Sequence, residues 1–437
     1  MHVKPRQGIW CNCGQAALQL ALAALIGVTF RFVLLPAALL SDRNNKADYL
    51  IYFGVAKALS GRIGGSLADD WGRKKTCVLG WLLGFSMVPL LAIGFALHLS
   101  WVHNLAYLLL GAHQGVTWGL NITCLMDLFG PSGRGLASGL SNAVGYLASS
   151  ACAPYAALLS DADNKSWTVA AAAASVLSGL LLTCLSTDTK RWAVLESVSH
   201  DDQTRHLDDK VSTGCETTSQ ALCSLAGLTV NMATALVWGS MVSWAKSPQD
   251  GALSNLQIGN LEAVHTCLKA IALCGSGVVV HSVGARPVVA VSLLTLAGGL
   301  AAVAWQARST PADLWLILVA TGLVGLGVGG AFPALAASAS TSAPAGRRAS
   351  AYGAYRMWRD AGYSAGGLLE RLVAWDGFRS TSATVFAWSA VLTTWWWICW
   401  CSHLMRSDGH NESDSNCSSS SDTDSNISVL PVTGGRV

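Results

Sequence analysis

Nine ionisable side chains stand in stretches otherwise fit for lipid: Arg31, Lys57, Arg62, Glu262, Lys269, Arg356, Arg359, Asp360 and Glu370. A charge at the bilayer centre costs about 2.5–3.5 kcal/mol on insertion scales, so each is a functional candidate by default. Arg62 and Glu370 lie near the ends of their apolar stretches, where long side chains can snorkel to the interface. The deeper ones are five cations, Arg31, Lys57, Lys269, Arg356 and Arg359, against two carboxylates, Glu262 and Asp360. Such a cationic excess suits an anionic ligand, and the arginine fork matches carboxylate or phosphate. Glu262 and Asp360 are candidates to carry a coupling proton, since burial favours the neutral carboxyl and neighbouring arginines oppose it. Arg356 and Asp360 also have the spacing of a self-neutralising i,i+4 pair. Glu262 and Lys269 are seven apart and share a helix face. Trp118, Trp238, Trp244 and Trp358 offer flat apolar surface for an aromatic or amphipathic compound, although interfacial placement explains most tryptophans in such a chain.

These residues are carried by a very apolar chain of 437 residues, 52% hydrophobic and 12% charged, with mean hydropathy +0.42. Soluble domains carry about 25% charged residues, so a water-soluble enzyme is excluded. A net charge of +3 without a basic patch argues against a nucleic-acid partner. Twelve segments reach the roughly 20 apolar residues that cross a bilayer. They lie near 16–40, 47–69, 76–97, 103–126, 135–159, 167–186, 220–245, 256–281, 287–307, 312–337, 349–373 and 381–404. The expectation is an all-α membrane protein of two six-helix bundles, 16–186 and 220–404. Flanking them are a short N-terminus (1–15), a polar central loop (187–219) and a Ser/Asp-rich tail (405–437) whose composition predicts disorder.

Basic residues crowd the short loops on one side, as Arg73, Lys74 and Lys75, Arg134, Arg286, and Arg347 and Arg348. By the positive-inside tendency that side is cytoplasmic, with both termini, the central loop and the tail. The 13 cysteines are scattered through apolar runs and read as small buried side chains rather than disulfides. No metal-ligand spacing, nucleotide-binding loop or nucleophile–base pair is present, so no cofactor, no metal and no enzyme activity are expected.

The halves also repeat. At a shift near 214, Gly111 and Gly115 recur as Gly325 and Gly329, and Arg134 and Gly139 as Arg348 and Gly353. At a shift near 212, Gly65 and Gly72 recur as Gly277 and Gly284. Parallel repeats of this kind hold a substrate between the halves, near the midplane.

Between spans two and three stands GGSLADDWGRKK, residues 64–75. It resembles the signature loop of the major facilitator superfamily through Gly65, Leu67, Asp69, Gly72, Arg73 and Lys74. The stretches 111–146 and 355–363 are similar to one branch of that superfamily, and the likeness spans nearly all of 16–404. The resemblance implies that Asp69 faces the N-terminus of span eleven, which favours negative charge by about 0.5–2 kcal/mol. It further implies that Arg73 relays charge to Asp127 at the end of span four. Gly65, Asp69, Gly72, Arg73, Lys74 and Asp127 would then form a cytoplasmic conformational latch. The second copy keeps Gly284 and Arg286 but has His281 in the aspartate's place, so the halves are expected to contribute unequally.

Together these features lead to a transporter, symporter or antiporter, of a small organic solute, an organic anion for preference, working by alternating access with protons as the candidate coupling ion. A monomer in the plasma membrane or an organelle membrane is expected, with substrate, protons and the bilayer as its partners. Helix five lacks a convincing antiporter motif, its Ala153-Pro154 being a poor match, which argues against drug–proton exchange. The alternatives are efflux of amphipathic compounds and a receptor or scaffold on a transporter fold.

Overall fold

A computed structural model describes residues 9–40, 48–130, 133–160, 165–194, 213–247, 252–308, 313–341 and 348–373, with scattered positions between 387 and 398. The described elements are helices. They are α1 (Ile9–Leu40), α2 (Asp48–Trp71), α3 (Arg73–Leu97), α4 (Ser100–Phe129), α5 (Arg134–Leu158) and α6 (Lys165–Leu185). In the second half α7 runs Thr213–Leu236, passes through a π turn at Val237–Met241 and ends as Val242–Lys246. After it come α8 (Asn255–Val283), α9 (Ala285–Gln306), α10 (Leu314–Thr341) and α11 (Arg348–Val373). The described positions between 387 and 398, in the twelfth expected span, are helical as well.

Two of these helices begin earlier than apolar content predicts, α1 at Ile9 rather than 16 and α7 at Thr213 rather than 220. Hydrophobicity marks where lipid begins, whereas backbone hydrogen bonding carries a helix a turn or two beyond it. The tail 405–437, the N-terminal residues 1–8 and most of the central loop lie outside the described residues.

Seven of the described helices are apolar enough to span a membrane by length and composition: α1, α3, α6, α7, α8, α9 and α10. The other four, α2, α4, α5 and α11, fall short because their inward faces are polar. Lys57, Gln114, Asn121, Asn142, Ser149, Arg356 and Asp360 are all buried there. In lipid a polar helix face turns toward protein.

The two halves meet along α2 with α11 and along α5 with α8. These seams are copies of one another. Ser364 Oγ donates to Ile51 O at 3.0 Å, and Ser150 Oγ, one repeat earlier, donates to Ala263 O at 2.7 Å. A Cβ on Gly353 would lie 2.7 Å from Gly61 O, and one on Gly139 would lie 2.7 Å from Leu273 O. Small residues allow this approach, and without a hydrophobic drive between helices in lipid, close packing supplies much of the association. The turns α2–α3 and α8–α9 are single glycines, Gly72 at φ 105° and Gly284 at φ 83°. An L side chain at either position would be strained.

Candidate functional site

The signature loop lies at one end of the α2–α11 seam. Arg73 donates from a terminal guanidinium nitrogen to Asp69 Oδ1 at 2.5 Å and from Nε to Asp127 Oδ2 at 3.3 Å. Asp69 Oδ2 accepts from the backbone N–H of Ser350 at 2.8 Å and its hydroxyl at 2.6 Å. Asp69 therefore sits on the first turn of α11 and ties one half to the other. Gly65 packs on Ala349 and Gly353 across the same seam. Lys74, grouped with these residues from sequence, points elsewhere: its Nζ donates to Cys184 O at 2.6 Å.

Three residues in this cluster had no sequence signal. Asp188, just beyond α6, accepts the backbone N–H of Arg73 (3.3 Å), Lys74 (3.2 Å) and Lys190 (2.9 Å). It thus caps α3, whose own N-cap residue, Gly72, has no side chain to do so. Thr189 donates to Asp127 Oδ2 at 3.1 Å, and Ser350 holds Asp69. The start of the central loop is strapped across the signature turn, with Lys190 Nζ on Asp70 O at 2.9 Å.

The second cluster lies inside the bundle. Arg31 in α1 reaches across to α8, donating to Glu262 Oε2 at 3.1 Å and Thr266 Oγ1 at 2.8 Å, while its Nε donates to Ser149 in α5 at 3.0 Å. Glu262 therefore pairs with Arg31 and not with Lys269, its neighbour along the helix face. Glu262 Oε1 is buried without a hydrogen-bond partner. In α11, Arg356 donates to Asp360 Oδ2 at 2.9 Å, forming the pair its spacing predicts. Arg359 joins through two bonds to Oδ1, at 2.9 and 2.7 Å, and Asn231 Nδ2 adds another at 3.1 Å. Arg356 also donates to Gly115 O in α4 at 3.1 Å, crossing between halves beside the open face of Gly119.

Lys57 and Lys269 complete the set, and both are buried. Neither makes an ion pair among the described residues; each ammonium lies over aromatic rings instead. The π turn of α7 brings Trp238 into this layer, and Tyr49 Oη donates to the Trp238 carbonyl at 3.0 Å. π turns inside α-helices are frequent at functional sites.

Arg62 is exposed and bonds Ser66 at 2.7 Å, in keeping with its place near a span end. Glu370 is buried between Gly239 and Leu50 and does not snorkel. Of the four tryptophans, Trp118 and Trp238 reach the charged interior. Trp244 is buried near Met241 and Ile317, and Trp358 is exposed because it points away from the α11 arginines. Among the described residues no group of His, Cys, Asp and Glu could hold a metal.

Comparison with known proteins agrees with this architecture. The family model of the Major Facilitator Superfamily matches residues 223–415. No curated protein matches the sequence. Among solved structures, the human organic anion transporter MFSD10 (TETRAN) is similar at 16% identity, TM-score 0.67, over 90% of this chain and 100% of that one. The nucleoside transporter NupG is similar at 15% identity, TM-score 0.62, over 89% and 99%. The E. coli fucose:proton symporter FucP is similar at 13% identity, TM-score 0.60, over 89% and 99%. The family's sequence signal lies in the second half and its fold runs over both, so the chain is a multi-pass membrane protein with the major facilitator fold.

Proposed function

We propose that the protein is a secondary transporter that carries a small organic anion between its two halves by alternating access. The observation that carries this reading is the charge balance of the sealed interior. Arg31, Lys57, Lys269, Arg356 and Arg359 face Glu262 and Asp360, and none of the seven is more than 4% exposed. An interior with surplus cations is costly in lipid until an anion enters. A neighbour in fold is an organic anion transporter, which is compatible with this reading, but this chain's own charges carry it.

In this mechanism Arg356 and Arg359, positioned by Asp360 and Asn231, present guanidinium groups to the substrate. Arg31–Glu262 is a removable tie between the halves. A proton on Glu262 cancels its charge and releases Arg31, which would couple proton entry to opening of the α5–α8 seam. Asp69, Arg73, Asp127 and Ser350 act apart from the substrate, as a latch holding the loop-bearing ends of α2 and α11 together. Both termini and this latch face the cytoplasm, and one chain is sufficient.

The test is flux in proteoliposomes with radiolabelled organic anions, at two pH values, beside Asp69→Asn and Arg356→Ala variants. Uptake of anions that Arg356→Ala abolishes and Asp69→Asn slows is the expected result. A preference for amphipathic cations would overturn the anion reading and favour efflux of aromatic compounds on the Trp118 and Trp238 surface. Binding without flux would identify a receptor.

A further inference from the structure

In the register that pairs Gly65 with Gly277, Lys57 of α2 is equivalent to Lys269 of α8. The structure gives the two lysines matching surroundings. Lys57 Nζ lies 5.4 Å from the Trp118 ring centroid in its own half and 4.9 Å from Tyr363 in the other. Lys269 Nζ lies 4.8 Å from Phe332 in its own half and 4.0 Å from Tyr146 in the other. Trp118 and Phe332 are themselves repeat equivalents. The rings touch, Trp118 with Tyr146 at 4.9 Å and Trp238 with Tyr363 at 5.5 Å, so the lysines flank one aromatic layer.

Among the described residues these are the two buried Lys or Arg side chains without an ion pair. Arg31 has Glu262, and Arg356 and Arg359 share Asp360. Lys269 Nζ, wholly buried, has no hydrogen-bond partner among the described residues. Cation–π contact offsets only part of the cost of desolvating an ammonium. A monoanion offsets only one of the two ammonium charges, a dianion offsets both, and an apolar body suits the rings that surround them.

We propose that Lys57 and Lys269 anchor the two ends of a single dianionic substrate with an apolar body, held across the pseudo-two-fold axis between the halves. This rests on the anion reading and narrows it from any organic anion to those with two charged ends. Each anchor sits on a seam helix, Lys57 on α2 and Lys269 on α8. A substrate that grips both seams draws the halves together, whereas one that grips a single lysine does not.

The experiment titrates the full-length protein in nanodiscs with linear dicarboxylates from succinate to sebacate, and with monocarboxylates of the same lengths, reading the fluorescence of the tryptophans beside the lysines. One length of diacid is expected to bind at least about tenfold tighter than its monoacid, equal to about 1.4 kcal/mol. Lys57→Met and Lys269→Met are each expected to bring that ratio to about one. Lys57→Arg and Lys269→Arg preserve both charges and are expected to keep the diacid preference, which covers the case of a misfolded methionine variant. Monoacids binding as tightly as diacids, or a diacid preference that survives in a folded methionine variant, would overturn the paired-lysine proposal alone. Indifference to mono- and diacids alike, with transport of amphipathic cations, would overturn the anion reading as well.

Discussion

Arg31 spends its whole guanidinium on three side chains from two helices, so its removal and that of Glu262 should not be equivalent. Glu262→Ala leaves a buried, unpaired guanidinium, a change that costs about 3–5 kcal/mol in comparable ion pairs. Thermal unfolding in detergent is expected to show a large loss for Glu262→Ala and recovery of most of it in Arg31→Met with Glu262→Leu, an apolar replacement of both partners. Glu262→Gln separates stability from coupling. It retains an acceptor for Arg31 but no titratable proton, so anion flux should persist while its response to an imposed pH gradient disappears. A Glu262→Gln protein that still follows the gradient would assign coupling elsewhere. The charged residues themselves were legible from sequence because lipid makes each conspicuous. Their partners were not: Glu262 shares a helix face with Lys269 yet bonds Arg31, 231 positions away.

The signature-loop cluster divides along similar lines at the level of elements. Asp69, Gly72 and Arg73 stand in a loop that resembles a known one, and the structure sets Arg73 between Asp69 and Asp127, which comes from the end of α4. Asp188 is an ordinary loop aspartate in sequence, and only the return of the chain after α6 places it over the N-terminus of α3. Asp188→Ala removes the acceptor of three backbone N–H groups, and orphaned donors cost about 1–3 kcal/mol when shielded from water. Hydrogen–deuterium exchange should accelerate at residues 73–76 and 186–194, with little change in α9 or α10. The seam glycines predict a paired result. Gly139→Val and Gly353→Val drive a branched side chain into Leu273 O and Gly61 O respectively, and both should block flux while leaving substrate binding measurable. Strong loss in one and none in the other would mean that the two copied seams do not open alike.

For the molecule as a whole, the basic short loops predict sidedness, and the fold is compatible with either assignment of inside. An epitope tag after Val437 should react with antibody only in permeabilised cells, whereas one inserted at 161–164 should react in intact cells. The reverse pattern would place the signature loop outside.

The solvent, the number and order of the spans, the two-fold repeat and a loop resembling the superfamily's signature were all readable along the chain. Each is a local property: the run of apolar residues that lipid demands, the spacing of small residues along one helix, and the motif of one turn. Folding settled which carboxylate serves which arginine, that Asp188 straps the signature turn, and that Lys57 and Lys269 lie over touching aromatic rings without an ion pair among the described residues. The physical reason is that partner choice depends on distances across the α2–α11 and α5–α8 seams. Glycine backbones bring those helices into contact, and no pattern along a single helix records which side chains then meet.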